Sequence, residues 1–209
     1  MKQAVHKRWW FILLETILAL SLCLAVVLST TTVLQTRFIR LICTGNAGVQ
    51  PRDYDTVLSC IDTLGQDVSY ESSFPNGTLD LYAARADAPQ PLIVYAHGGY
   101  YVGDDKEDFS YYCQTLASHG YVVANINYAL APEERYPTQI LQVNEAVSYL
   151  LDHAEQYGID PGRVFIGGDS AGAHLASQMG LYYTDASFRE ETGGTPALSA
   201  EQLRGVILL

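Results

Sequence analysis

The sequence predicts an α/β fold, in which a mostly parallel sheet carries helices on both faces and is preceded by one transmembrane helix. Two continuous apolar runs, residues 91–96 (PLIVYA) and 121–126 (YVVANI), are typical of strands buried on both faces of a parallel sheet. Apolar residues over 140–154 recur instead at helical spacing. Strands that alternate with helices in this order favour a sheet built from right-handed crossovers.

The other elements are predicted from local patterns. The alternating runs 68–72 and 78–82 flank the turn signal Pro75-Asn76-Gly77, which indicates an antiparallel pair. In the rest of the chain, turn and cap residues mark where helices and strands begin and end. In order, they predict helices over 108–119, 137–157 and 170–183, and strands over 163–167 and 205–209.

Residues 9–34 form a long apolar segment with one charge, Glu15. The part from Trp9 to Leu28 alone would span about 30 Å as a helix at about 1.5 Å per residue, which is enough to cross a bilayer. A cleaved signal peptide is the competing interpretation, but its apolar region usually has only about 7–15 residues. The length therefore favours an uncleaved signal-anchor over 9–34.

The charges around this segment predict its orientation. Three basic side chains and the amino terminus precede the span, whereas two arginines follow it. Basic residues are retained on the cytoplasmic side, so residues 1–8 are predicted as a cytoplasmic segment. Residues 35–66 are interpreted as a linker or small cap, and residues 67–209 as a partial α/β domain on the extracytoplasmic side of a single-pass membrane protein.

Composition excludes several classes of protein. With 48% hydrophobic residues and 17% charged residues, the chain is not a disordered or fibrous protein. Residues 41–209 contain 7 Lys and Arg against 22 Asp and Glu, a net charge of 7 − 22 = −15 that would repel nucleic acid. The four cysteines show no metal-ligand spacing, which leaves open only a single bridge between Cys43 and Cys60.

The strongest motif is Gly168-Asp169-Ser170-Ala171-Gly172, which lies between a predicted strand and a predicted helix. A serine nucleophile requires a sharp strand-to-helix turn that lifts its hydroxyl clear of the sheet, and small flanking glycines permit that turn. We therefore interpret Ser170 as a nucleophile. The alternative is an ordinary tight turn in which Asp169 or Ser170 caps the helix.

A second motif, His97-Gly98-Gly99-Tyr100, directly follows the strand PLIVYA. Acyl transfer passes through an oxyanion, which needs approachable backbone N–H donors, and consecutive glycines after a buried strand can supply them. Tyr100 retains the donor but adds a ring that could narrow the site. His97 is interpreted as a structural residue that steadies the loop rather than as a general base. The alternative for the whole motif is a glycine-rich turn.

Together with YALAPE at residues 128–133, these motifs resemble the α/β-hydrolase fold, and within it the hormone-sensitive-lipase-like carboxylesterases, over residues 68–209. The resemblance implies a small-molecule ester substrate, no cofactor, and Ser170 as the nucleophile. It also implies an oxyanion hole formed by three backbone N–H groups, those of Gly99, Tyr100 and Ala171. We expect His97, Gly98 and Asp169 to support these loops, and residues 128–132 to wall the site.

The acid and the histidine of an α/β-hydrolase triad follow the nucleophile along the chain. Only His174 follows Ser170 here, and it comes one helical turn later, so it is interpreted as a packing or surface residue. The acids between Asp185 and Glu201 precede the next strand and come too early. We therefore expect the amino-terminal part of a longer enzyme, truncated before the last strands and nearly inactive by itself.

Some interpretations remain open at this stage. The acidic run over residues 104–108 is interpreted as a solvated face, with a metal site as the less favoured alternative and no metal expected. The alternative functions are a non-catalytic, membrane-tethered ligand-binding protein and an acyltransferase or peptidase on the same fold. The sequence leaves the oligomeric state open.

Overall fold

The structure of the protein, a computed structural model, describes residues 2–43 and 48–209, with side chains over 9–42 and 48–209. The chain divides into two compact units, Met1–Ile42 and Cys43–Leu209. The first unit is formed by two helices, α1 (Lys2–Thr30) and α2 (Thr32–Cys43).

Helix α1 contains a segment, Trp9–Thr30, that is long and apolar enough to cross a membrane, and none of it is buried. The apolar segment over 9–34 is not one continuous helix, because α1 ends at Thr30 and the helical structure is interrupted at Thr31. The Thr31 carbonyl accepts the N–H of Gln35 at 3.0 Å and so begins α2.

The second unit is built on one six-stranded sheet in the order β1-β2-β4-β3-β5-β6. The β1–β2 and β2–β4 pairs are antiparallel, and the β3–β4, β3–β5 and β5–β6 pairs are parallel. The mostly parallel sheet predicted from the sequence is thus confirmed. The strands are β1 (Ile61–Ser69), β2 (Thr78–Ala84), β3 (Gln90–Ala96), β4 (Val122–Ile126), β5 (Ile159–Gly168) and β6 (Leu203–Leu208).

Helices cover both faces of this sheet. They are α3 (Tyr54–Cys60), α4 (Ser110–Ala117), α5 (Thr138–Asp152), α6 (Ala154–Tyr157), α7 (Ala171–Thr184) and α8 (Ala186–Thr192). Alternate residues of β3 point to opposite faces: Leu92 and Val94 join the core formed with α5 and α7, whereas Ile93 and Tyr95 join the core formed with α3 and α4. The carboxyl end of β3 therefore lies between two packed layers.

The structure corrects two predicted boundaries. Strand β1 pairs with β2 from Ile61 onward, opposite Ala84, so the boundary set at residue 67 falls inside a strand. The residues of β1 are mostly polar and mostly exposed, and its pairing with β2 has two register shifts. The alternation of apolar and polar residues that is typical of a strand is therefore hidden in the sequence. The predicted linker or cap over 35–66 holds most of α2, all of α3 and the start of β1, and its residues 44–47 lie outside the described residues.

Candidate active site

The bend between β5 and α7 places Ser170 in an unusual backbone conformation. Its φ of 48° and ψ of −113° lie in a region that residues with side chains rarely adopt. The Ser170 N–H donates to the Leu209 carbonyl at 3.0 Å, and the Ser170 carbonyl accepts the N–H of His174 at 3.0 Å to start the helix. The side chain is exposed at the positive end of α7, as a nucleophile on a strand-to-helix bend requires.

Two glycines allow this bend to approach the end of β3. A Cβ atom on Gly172 would lie 2.0 Å from the Ala96 carbonyl oxygen, and one on Gly168 would lie 2.5 Å from the same atom. No side chain fits at such distances from a backbone oxygen. The glycines of the motif therefore bring β3, β5 and α7 together.

The loop after β3 is a left-handed turn. Gly99, Tyr100 and Tyr101 have φ values of 96°, 56° and 62°. The Gly99 carbonyl accepts the N–H groups of Val102 at 2.9 Å and Gly103 at 3.0 Å, which closes the turn. A Cβ atom on Gly99 would lie 2.2 Å from the Gly103 oxygen, so this position requires glycine.

This loop and the bend meet at Gly98 and Asp169. A Cβ atom on Gly98 would lie 2.4 Å from Asp169 Oδ2. The Tyr95 hydroxyl donates to Asp169 Oδ1 at 3.2 Å. Burial raises the pKa of Asp169, while the hydrogen bonds from Tyr95 and from the Gly98 N–H act in the opposite direction. Asp169 thus links the two segments that carry the expected site residues.

The three backbone donors assigned to an oxyanion hole are the N–H groups of Gly99, Tyr100 and Ala171. Among the described residues, none of the three donates a hydrogen bond to another group of the chain. Ala171 is the first residue of α7, where a helix leaves its N–H groups unpaired. The Tyr100 ring is 69% exposed. These donors are therefore available to an oxygen atom of a ligand.

His97 is fully buried beneath the loop. Its Nδ1 lies 2.8 Å from the Gly98 carbonyl oxygen, and its ring stacks on Tyr128 with 4.5 Å between centroids. The Tyr128 hydroxyl donates to the carbonyls of His97 at 2.7 Å and Gly98 at 3.2 Å. Burial lowers the pKa of His97, which favours the neutral imidazole. These contacts are those of a residue that supports the loop.

His174 lies on the exposed side of α7, as expected for a surface residue. Its Nδ1 is 2.9 Å from the Tyr101 hydroxyl, and its Nε2 is 2.9 Å from the Gln178 side-chain amide. His174 and Tyr101 both line a cavity of about 380 Å³. Asp169 and Tyr95 line a larger cavity of about 570 Å³. The segment next to the serine therefore borders two spaces large enough for a small organic molecule.

Lys106, in the acidic run interpreted as a solvated face, is a buried residue that the sequence did not predict. Lys106 is only 2% exposed, and its Nζ lies 2.8 Å from Asp67 Oδ1 and 2.9 Å from Asp80 Oδ1. Its backbone N–H donates to Asn127 Oδ1 at 2.8 Å. A buried ammonium needs such partners, and these fasten the end of the loop to β1 and β2. The only signal was one lysine among acids.

The acidic run contributes to local structure. In the part of the chain that the structure describes, no group of three or more His, Cys, Asp or Glu side chains could hold a metal ion. Asp105 instead caps the short 3₁₀ helix over Lys106–Phe109 and accepts a hydrogen bond from the Asn127 side chain.

Comparison with known proteins identifies the family. The BD-FAE family model matches residues 79–205. Neutral cholesterol ester hydrolase 1 of Mus musculus is 39% identical over 123 residues, which are 54% of this chain and 30% of that protein. An acetyl esterase of Salmonella schwarzengrund is 33% identical over 110 residues, which are 50% of this chain and 34% of that protein.

Solved structures agree with this result. Esterase B from Lactobacillus rhamnosis, inhibited by a tributyrin phosphonate, matches with a TM-score of 0.66 and 26% identity over 93% of this chain and 58% of its own. The chain spans about a third of the length of these curated relatives. The family match and the sheet topology together confirm the resemblance found in the motifs, and the chain belongs to the BD-FAE family of α/β-hydrolase carboxylesterases.

Proposed function

We propose that the protein is a membrane-anchored serine hydrolase that cleaves carboxylic esters through an acyl-enzyme on Ser170. The observation that carries the proposal is the exposed Ser170 in its strained backbone conformation, beside a loop with unpaired N–H groups. Strained backbone of this kind persists only where the surrounding structure enforces it, and it is concentrated at functional sites.

The proposed chemistry has two steps. Ser170 Oγ attacks the ester carbonyl carbon and loses its proton to a base, while the N–H groups of Gly99, Tyr100 and Ala171 donate to the oxyanion. Collapse of this intermediate expels the alcohol and leaves an acyl-enzyme, which water then hydrolyses to the free acid. Relatives named for acetyl and cholesterol esters differ widely in size, so the proposal is limited to carboxylic esters as a class.

We also propose that neither the triad acid nor the triad histidine is among residues 171–209. Their one histidine, His174, is exposed and hydrogen-bonds to Tyr101 and Gln178. Loss of the base of a serine triad lowers turnover by on the order of 10⁶ in a well-studied hydrolase. The 209 residues by themselves should accordingly be nearly inactive, with residual catalysis from the oxyanion hole.

The test is covalent labelling of the full-length gene product with a fluorophosphonate, which phosphonylates activated serines. We expect stoichiometric labelling that is lost in Ser170→Ala. Ser177→Ala is the matched control, because Ser177 is a partly exposed serine on the same helix, whose hydroxyl donates to the His174 carbonyl. A folded full-length protein that is not labelled would contradict the proposal and favour the non-catalytic ligand-binding protein.

For the membrane anchor, support comes from the hydrogen bonds within α1. The 22 residues of Trp9–Thr30 reach about 33 Å, which matches the hydrocarbon core. Lipid offers no hydrogen-bond partners, so a spanning helix must satisfy its polar groups internally. All four hydroxyl side chains of α1 donate to a carbonyl of the preceding turn: those of Thr16, Ser21, Ser29 and Thr30.

Extraction and sequencing test the anchor. We expect the full-length protein to stay in the membrane pellet at alkaline pH, with its amino terminus intact. Added protease should reach the hydrolase domain only from the extracytoplasmic side, because more positive charge precedes the span than follows it. Release of a protein shortened by about the length of a signal peptide would show cleavage instead.

A further inference from the structure

We propose that α2 lies in the lipid–water interface, with its apolar side toward the acyl chains and its two arginines on lipid phosphates. This inference rests on the proposed membrane anchor. It adds a second element of the first unit that binds the bilayer, immediately after the span.

The pattern of α2 is that of an amphipathic helix. Its apolar side has residues at the spacing i, i+4, i+7 and i+8, namely Leu34, Phe38, Leu41 and Ile42. The opposite side carries Thr32, Thr36 and Arg40 together with Val33 and Ile39, and Arg37 lies at the boundary between the two sides. The helix contains no acidic residue. An apolar stripe opposite a basic one is typical of helices that lie flat in the headgroup region.

Within the first unit, α1 does not cover the apolar side of α2. Phe38 is 47% exposed, Ile42 62% and Leu41 79%. Such a group of neighbouring apolar side chains usually marks a surface that binds a membrane or another molecule.

The position of α2 along the chain determines which partner covers it. The apolar stretch of α1 ends at Thr30 and α2 begins at Thr32, so one residue separates them. If α1 spans the bilayer, α2 starts at headgroup depth. Its 12 residues reach only about 18 Å, which is too short to cross. Lipid is present at this depth around every molecule, and its phosphates complement the charges of Arg37 and Arg40.

The experiment places an environment-sensitive NBD fluorophore on either side of α2 in the full-length protein. Cys43 and Cys60 are replaced by serine, so that the exposed Cys60 does not take up the fluorophore. Cys113, which is buried, and Cys23, which lies within α1, are kept. Phe38→Cys carries the label on the apolar side, and Thr36→Cys is the matched control on the polar side. Vesicles contain equal parts of phosphatidylcholine and phosphatidylglycerol, with spin-labelled lipid as the quencher.

We expect the label at position 38 to be quenched by spin-labelled lipid and reduced by external dithionite several-fold more slowly than the label at position 36. Replacing both arginines by glutamine, or omitting phosphatidylglycerol, should weaken the quenching. Each arginine is expected to favour the membrane-bound position of α2 by about fivefold in the local binding equilibrium. Absence of any dependence on phosphatidylglycerol would overturn the role of the arginines.

Two further outcomes overturn the inference while the anchor stands. Equal reduction of both labels, in a protein that resists alkaline extraction, would show that α2 is in water. Slow reduction at position 38 without quenching by lipid would show that protein covers the apolar side. Release of the chain at alkaline pH would instead remove the anchor, and the proposed location of α2 with it.

Discussion

The bend at residues 168–172 and the loop at residues 97–106 meet at Gly98 and Asp169, but they are held in different ways. The bend depends on missing side chains, since Gly168 and Gly172 let it touch the Ala96 carbonyl. The loop depends on buried polar contacts with other elements, above all the hydrogen bond from the Tyr128 hydroxyl and the ion pair of the loop's own Lys106 with Asp80. One segment is thus specified by its own five residues, and the other by distant partners.

Because of this difference, we expect substitutions in the loop and in the bend to destabilise the protein in two different ways. Removing the charge of Lys106 leaves a buried carboxylate without its counter-ion: Asp80, which is 3% exposed, would keep only the hydrogen bonds from the Asp67 N–H at 2.9 Å and the Tyr82 hydroxyl at 3.2 Å. Adding an atom to the bend instead creates a collision with backbone. Substitutions in the loop and in the bend separate these two effects.

The largest effect is expected for Lys106→Met, which keeps the volume but removes the charge that Asp80 faces. Breaking a buried ion pair from one side typically lowers the free energy of unfolding by about 3–5 kcal/mol. Chemical denaturation of the full-length protein measures the change. Fluorophosphonate labelling should also slow, because the loop with the expected oxyanion donors loses its attachment to β1 and β2.

Arg85→Met is the matched control for this variant. The Arg85–Asp62 pair also joins two strand ends at 2.9 Å, but its side chains are 58% and 54% exposed. Exposed pairs contribute about 0–1 kcal/mol. Equal losses in the two variants would show that burial of Lys106 is not what holds the loop.

The same lysine predicts a pH dependence. Burial lowers the pKa of Lys106, but hydrogen bonds with Asp67 and Asp80 outweigh this, and the pKa is raised above its usual 10.5. Its stabilisation is therefore present below the usual pKa and is lost as the pH rises through the raised pKa. The difference in stability between wild type and Lys106→Met should shrink in that alkaline range. A difference in stability that does not change with pH would refute a stabilising ion pair at Lys106.

For the bend, Gly172→Ala should lower the free energy of unfolding by about 3 kcal/mol, at the upper end of the range for overpacked positions. The added Cβ would lie 2.0 Å from the Ala96 oxygen, and backbone cannot yield easily there. Gly180→Ala, later in α7, is the control: its Cβ would lie 3.4 Å from Val206 Cγ1. That variant should gain up to about 1 kcal/mol from helix propensity.

The smallest effect is a gain in stability on loss of the candidate nucleophile. Ser170→Gly should raise the free energy of unfolding by about 1 kcal/mol, because glycine relieves the strain at φ 48° and ψ −113°. Ser177→Gly, in the middle of the same helix, should lower it by about 0.5–1 kcal/mol. Destabilisation by both substitutions to a similar extent would show that Ser170 is not strained.

Prediction from the sequence succeeded where the signal is local. The apolar runs at 91–96 and 121–126 are strands, and residues 168–172 form the strand-to-helix bend that their glycines indicate. It failed at β1, whose edge position leaves most of its residues exposed and whose register shifts break the alternation. It also failed at Lys106, because a lysine among acids looks the same whether the run is solvated or folded inward.

The sequence alone determined the alternation of strands and helices from β3 to β6, the apolar amino-terminal helix and the position of the bend, because each follows from the period of apolar residues or from glycine placement within a few positions. Only the tertiary structure decided that a lysine is buried against two aspartates and that Asp169 meets Gly98. Those contacts join residues separated by more than a dozen positions, and burial, which no short segment encodes, makes them necessary.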